Sequence, residues 1–402
     1  MLAVDAWLHI HKQSSPKMKG MHAAPPIPML DLQRQYATVG EEIGRAIADV
    51  CAGGRFILGR EVAELERSFE QRTQAHTAVG CASGTDALWL ALAACGIGPG
   101  NAVITTPFSF FASVSSILRA GARPILADID PISFNLSAEA TVQALATHPE
   151  VRAIMPVHLY GQCADWDAFT AVTQKHDALL IEDAAQAFGA DWRGMPAGAL
   201  GHAAAFSFYP TKNLSAWGDA GLSTFRDPAH GERACALRAH GMRQRYFHDE
   251  VGWNSRLDTM QAAVLLVKLN YIAQWNKDRA RVAAKYSALF TNMGIVGHVE
   301  DGAIVLPTAD PRGTHVWHQY VIRTPRRDAL RAHLAAQGIG SEVYYPVPLH
   351  MQAALRDLGY REGEFPESER AAREVLALPI YPELSLDEQE RVVEAVTAFF
   401  GC

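Results

Sequence analysis

Two stretches, LLIEDAAQAFGA at residues 179–190 and AFSFYPTKNLSAWGDAG at residues 205–221, decide how this chain is read. Each begins as a short apolar run, the pattern of a strand covered on both faces. Each ends in a charged residue, Asp183 in the first and Lys212 in the second, 29 residues further on. Singly, both have ordinary explanations: a lysine in a YPTKN loop is commonly a surface group, and an aspartate after a strand commonly caps the next turn. Together they set an acid and an amine at the ends of two strands, where open α/β sheets bind their ligands.

Strand and helix patterns alternate outward from this pair. Two amphipathic helices come first, DLQRQYATVGEEIGRAIADVCAGG (31–54), stopped by Gly53-Gly54, and REVAELERSFEQRTQ (60–74). AVGCAS (78–83) is a strand and GTDALWLALAACG (84–96) the helix behind it. Residues 101–130 read as strand, helix, strand; RAIMPVHLYG (152–161) is a strand, with a helix around Asp165–Lys175. This alternation predicts an α/β fold, a large domain with a mostly parallel central sheet flanked by helices. Residues 255–290 are helical for most of their length and bridge out of it. A smaller C-terminal α/β domain follows, with strands HVWHQYVIRT (315–324) and GSEVYYPVP (340–348) around the helix RRDALRAHLAAQG (326–338). LSLDEQERVVEAVTAFF (384–400) closes the chain as a helix with Ser385 as N-cap and Glu388 three residues on. The expected organisation is a poorly ordered extension over residues 1–28, a large domain over 29–270 and a small domain over 271–402.

Composition narrows the class. Of 402 residues, 49% are hydrophobic and 20% charged, as in an ordinary globular protein. A net charge of −7 without a Lys/Arg cluster gives no footprint for nucleic acid. No apolar run reaches the roughly 18 residues that a membrane span needs. Asp5, His9 and His11 break the start of the chain as a signal peptide. The six cysteines have no CxxC spacing, which fits reduced cytoplasmic thiols and predicts no metal site.

The polar residues along these strand ends form an ordered series. Ser83-Gly84-Thr85 lies between a strand and a helix, where backbone N–H groups bind phosphate. Phe110, in PFSFFAS, offers a flat face for stacking. Asp183 can keep a pyridine nitrogen protonated, and Gln186 can donate to a phenolate oxygen. Ser207 can bind a phosphate, and Lys212, five residues later, can hold an aldehyde as a Schiff base. Each element also has a plain structural reading; the order of all of them, each after a predicted strand, is what is specific. The cofactor they suit is pyridoxal 5′-phosphate (PLP).

The strings GRFILGREVAELE, SGTDALWLAL, VHLYGQ, IEDAAQAFGA, FSFYPTKNL, NSRLDTMQAA and YYPVPLH resemble the DegT/DnrJ/EryC1/StrS family of PLP-dependent sugar aminotransferases, of transferase fold type I. The likeness runs from about Pro28 to Phe400. It implies that Lys212 holds PLP and moves the proton during catalysis, that Asp183 pairs with the pyridine nitrogen and Gln186 with the phenolate oxygen. Gly84, Thr85 and Ser207 would hold the phosphate, and Phe110 would stack on the ring. The family's GxNxR segment is here Gly252-Trp253-Asn254-Ser255-Arg256. It implies a homodimer with shared active sites, Asn254 touching the other subunit's phosphate and Arg256 its substrate. Relatives acting at carbon 4 of the sugar often read FSFHxxKxxTxxEGG, whereas Tyr209 and Asp219 stand here in place of His and Glu. That resembles members acting on 3-keto sugars carried by dTDP or UDP, with glutamate as amino donor. Ala220 replaces a usual Gly, and Tyr344-Tyr345 a common His-Tyr. Tyr209, Tyr344, Tyr345 and His350 are the expected sugar-side contacts. Family dehydratases carry His at the lysine position, so Lys212 argues against them. Cyclitol aminotransferases and aminohydroxybenzoate synthases share the motifs, and a non-catalytic PLP-fold regulatory protein is the reading from another class.

Overall fold

The protein is described by a computed structural model over residues 25–298 and 303–401. Its main sheet has seven strands: β1 (Thr77–Cys81), β2 (Ala102–Thr105), β3 (Arg123–Leu126), β4 (Val151–Ile154), β5 (Leu179–Asp183), β6 (Ala203–Ser207) and β7 (Gly221–Phe225). They lie in the order β1-β7-β6-β5-β4-β2-β3. Neighbours among β2 to β6 pair parallel, and only β7 runs against its neighbours. Six strand ends therefore point the same way, which brings Asp183 and Ser207 to one edge of the sheet.

Helices cover the sheet: α1 (Leu32–Gly53), α2 (Arg60–Thr73), α3 (Gly84–Ala94), α4 (Ala112–Arg119) and α5 (Thr259–Leu269). The polar ends of α1 fall where the sequence put them. Asp31 caps the first turn, and Gly54, at φ 65°, takes the left-handed conformation that closes the helix. A hairpin, β8 (Met242–Gln244) and β9 (Phe247–His248), projects beyond the sheet with Tyr246 and Phe247 exposed.

The second core is built around α6 (Ile272–Asn292), β10 (Tyr320–Arg323), α7 (Arg327–Ala336), β11 (Val375–Leu378) and α8 (Leu386–Phe400). Helix α6 belongs to both cores: Ile272 and Trp275 pack with the sheet, Val282, Tyr286 and Phe290 with the C-terminal elements. The two cores meet along this helix, Ile272 and Trp275 on one side and Val282 onward on the other. Ser385 and Glu388 form the expected capping box of α8.

Two expectations are corrected. Residues 340–348 form no strand; Glu342 makes a single bridge to Ala377, and Pro346 and Pro348 remove the donors a ladder needs. The partner of β10 is β11 instead. Most of the expected 1–28 extension lies outside the described residues, but its end does not behave as an extension. Ile27 is buried and exchanges backbone hydrogen bonds with Gly338 and Gly340 at 2.9 and 2.8 Å.

Glu182 pins the sheet beneath the site. Its carboxylate is fully buried and accepts from the backbone N–H groups of Gly198 and Gly201, both at 2.7 Å. His158 Nδ1 accepts from Ala164 N at 3.1 Å, so the ring proton sits on Nε2 and is donated to Glu182 at 3.1 Å. Three donors thus converge on one carboxylate. Glu182→Gln keeps the volume but turns an amide NH2 toward these donors. It is expected to cost about 3 kcal/mol of stability, the scale of orphaned buried polar groups. The measurement is the urea midpoint at fixed protein concentration, and an unchanged midpoint would refute the role.

Candidate active site

A cleft of about 760 Å³ opens along the sheet edge where these strands end, roofed by residues of the small domain. Its lining brings together Gly84, Thr85, Phe110, Asp183, Gln186, Ser207, Tyr209, Lys212, Tyr344 and Tyr345. At one end lies the turn before α3. Ser83 Oγ caps Asp86 N at 3.1 Å, leaving the N–H groups of Gly84 and Thr85 without an acceptor among the described residues. A Cβ on Gly84 would stand 2.5 Å from Ser207 Cβ, and one on Gly221 would stand 2.2 Å from Ser83 O. Glycine at both places lets the turn press against β6 and β7, so that Ser207 and the free N–H groups share one small cradle. Such a cradle fits a phosphate.

Asp183 forms the floor. It is 3% exposed; Oδ2 accepts from Ser113 Oγ at 2.7 Å and Oδ1 from Ala185 N at 3.3 Å. Burial pushes its carboxyl above the usual range, while Ser113, Ala185 N–H and the Lys212 charge oppose the shift. Lys212 is half-buried; its backbone N–H donates to Tyr209 O at 2.8 Å, but its side-chain amine has no hydrogen-bond or ion-pair partner among the described residues. Burial lowers its amine to about 8, with Asp183 acting against this. An unpartnered amine lowered this far carries a much larger neutral fraction near physiological pH than an ordinary lysine, which suits it to Schiff-base formation.

Gln186 is held by its oxygen, which accepts from Tyr160 N at 2.7 Å. This turns its NH2 toward the cleft, where one hydrogen is donated to the Tyr345 hydroxyl at 3.1 Å and the other has no acceptor among the described residues. Phe110 is 60% exposed, its ring 6.4 Å from that of Tyr345, so it has an open face in the cleft. Floor acid, wall amide, open aromatic face, amine and phosphate cradle match, group for group, what a phosphorylated pyridine aldehyde requires.

Three expected residues lie elsewhere. His350 is 3% exposed, its Nε2 3.1 Å from Glu369 Oε1 and its ring against Phe365, so it packs the small domain and does not line the cleft. Its helical turn, Leu349–Met351, carries it inward behind Pro348. Asn254 and Arg256 are also absent from the cleft of their own chain; Arg256 Nε donates to Asn254 Oδ1 at 3.0 Å on the surface beside the hairpin.

Other residues enter that the sequence did not single out. Ser113 holds Asp183 from 70 positions away, and a serine in an amphipathic helix carries no signal of that. His318 and Gln319 line the cleft from the loop before β10. Asn213 Nδ2 donates to Val316 O and Asn276 Oδ1, both at 2.9 Å, so its Oδ1 must accept from His318 Nδ1 at 3.1 Å. Burial pushes His318 well below the ordinary histidine range, so the ring is neutral with a lone pair on Nε2.

A profile of the DegT/DnrJ/EryC1/StrS aminotransferase family matches residues 37–397. The chain is similar to a protein of Geobacillus stearothermophilus named pleiotropic regulatory protein, with 46% identity over 93% of this chain and 98% of that one. It is 41% identical to the dTDP-3-amino-3,4,6-trideoxy-alpha-D-glucose transaminase of Streptomyces venezuelae, over 94% of this chain and 97% of that one. Among solved structures, S. venezuelae DesV in complex with a ketimine intermediate superposes with a TM-score of 0.89 at 42% identity, over 93% of this chain and 98% of the other. The matched span takes in every residue of the cleft described above, and the chain belongs to the DegT/DnrJ/EryC1/StrS aminotransferase family.

Proposed function

We propose that this protein is a PLP-dependent aminotransferase that moves the amino group of glutamate to the 3-keto group of a dTDP- or UDP-linked sugar. The observation that carries the reading is the convergence of Asp183, Lys212 and the Gly84–Thr85–Ser207 cradle on one cleft. When bound, PLP supplies an electron sink through which an amino group passes between two carbon skeletons. Gly84 and Thr85 N–H and Ser207 Oγ bind the phosphate. Phe110 covers one face of the ring. Asp183, oriented by Ser113, holds a proton on the ring nitrogen, and Gln186 donates to the ring oxygen. Lys212 would hold the cofactor through Nζ, and the same Nζ would take up and return a proton as the general base. Tyr209, Tyr344 and Tyr345, at the open side of the cleft, meet the sugar.

Charge supports a shared site. PLP phosphate, a nucleotide diphosphate and glutamate are all anions, yet Lys212 is the one Lys or Arg among the described cleft-lining residues, facing Asp183, Asp219 and Glu342. Further cations have to come from outside this lining. Arg256 and Asn254 sit on the surface beside the hairpin, next to exposed Tyr246, Phe247, Val251 and Trp253. A second copy that covers this apolar surface can lend both residues to the cleft. The 3-position is favoured by Tyr209 and Asp219, in line with what the S. venezuelae relative is named for. The relative named as regulatory does not supply a second reading, because both Lys212 and Asp183 are in place. A cytoplasmic setting fits the five unpaired cysteines among the described residues, and no helix among them is long and apolar enough to cross a membrane.

Three outcomes are expected. The purified protein with PLP absorbs in the visible, and glutamate alone bleaches that band; a dTDP- or UDP-linked 3-keto sugar restores it and a cyclitol ketone does not. Restoration by the cyclitol ketone alone would move the acceptor class. Lys212→Ala is expected to lose turnover on the order of 10⁴-fold, the upper end of what one general base contributes, and Asp183→Ala roughly 10²–10³-fold with PLP retained, the scale of one preorganised electrostatic partner. The rate of PLP uptake by apoprotein follows the neutral amine of Lys212, so it rises with pH and levels above about 8. A rate still climbing toward pH 10 would show an amine that burial has not lowered.

A further inference from the structure

Asp86 follows the phosphate turn directly but does not line the cleft. A first-turn acid ordinarily serves its own helix N-terminus. Here Ser83 already caps Asp86 N, and the carboxylate is committed to other elements. One oxygen pairs with Arg119 at the end of α4; the other accepts from Ser255 Oγ at 2.7 Å. The Arg119 guanidinium lies 4.5 Å from the Trp89 ring of α3 and 5.2 Å from that of Trp253, and the two indoles meet edge to face at 6.2 Å. A cation between two indoles and a carboxylate is a fixed point, not a loose surface pair. It grips the segment on both sides of Asn254.

The backbone of this segment pairs with residues 237–240, through Trp253 N to Leu237 O at 2.8 Å and Ser255 N to Arg238 O at 2.9 Å. That pairing sets its path but not its facing. Extended residues alternate sides. Ser255 is 0% exposed, held inward by Asp86, and its neighbours Asn254 and Arg256 therefore face outward. We propose that Asp86 is a positioning residue that acts in trans: through Ser255, and with Arg119 on Trp253, it presents Asn254 and Arg256 to the cleft of a second copy. The inference rests on the shared-cleft reading above. It gives α3 two duties at one tip, the phosphate turn for its own cleft and, one residue on, the anchor of the arm lent to the other.

The test uses differently tagged chains co-expressed and purified as hybrid dimers. Asp86→Asn in both chains is expected to lower kcat/KM on the order of 10²-fold, as for a displaced binding group. It should weaken PLP binding roughly tenfold, the loss of one charge-assisted hydrogen bond, read by absorbance titration of apoprotein. A hybrid of Asp86→Asn with Lys212→Ala pairs an intact Lys212 with an intact arm in one of its two clefts. It should recover about half the wild-type rate per dimer and one tight PLP site. A hybrid no better than the Asp86→Asn dimer would mean that Asp86 acts within its own cleft, and a fully active Asp86→Asn dimer would mean that it does not matter; either overturns the inference. The control hybrid, Arg256→Ala with Lys212→Ala, tests the shared cleft itself. If it stays inactive, the shared cleft falls and the inference with it; if it is active while the Asp86→Asn hybrid is not, the inference alone falls. Should Asp86→Asn not fold, Ser255→Ala, which removes only the hydroxyl, takes its place with the same outcomes.

Discussion

Two opposite charges withdrawn from water at one sheet edge are the constraint on which the rest of this protein depends. Burial disfavours the charged form of each, raising the Asp183 carboxyl and lowering the Lys212 amine, and each is a counter-charge for the other. Such an arrangement persists only on a scaffold that does not relax. The parallel strands supply it, because β5 and β6 are adjacent and carry Asp183 and Ser207 to the same edge, with Lys212 in the loop just beyond. Ser113, Ala185 N–H and the amide of Gln186 then fix how the polar atoms face.

The same constraint explains the chain's surplus of acid around a cleft meant for anions. A cleft filled with arginines would hold its ligands alone, but it would also screen the acid and amine whose mutual influence sets the chemistry. In the proposed shared cleft, further cations placed on a separate surface arm divide the labour. One part of the chain builds the reactive pair, and another, held by Asp86 and Ser255, carries charge outward.

Much of this was legible in the sequence, for identifiable reasons. The all-apolar strands, the glycine stops and the Ser385–Glu388 box are local signals, and the structure bears them out. Residues that line the cleft from strand ends, such as Asp183 and Ser207, were legible because position in the strand dictates position in the fold. Ser113, His318 and Gln319 were not, since their roles depend on partners far off in sequence. His350 misled because proximity to Tyr345 in sequence says nothing of the helical turn that carries it behind Pro348. Residues 340–348 misled because aromatic and β-branched residues there line a cleft wall and do not extend a sheet. Strand β11 was missed because four residues following directly on a helix give period-two alternation no room to show.

The adjacency of Glu182 and Asp183 has a consequence for how the strand can vary. Successive side chains of a strand point to opposite faces. Glu182 is therefore committed to the loop at Gly198 and Gly201, and Asp183 to the cleft. A slip of β5 by one residue would exchange two carboxylates of nearly equal chemistry, and the hydrophobic pattern alone would protest little, since both faces are covered. The two glycine N–H groups act as a vernier that tells one acid from the next. A single-residue insertion or deletion in β5 would leave the composition intact and still misaddress the charge, so drift in the length of this strand is far less tolerable than drift in its apolar side chains.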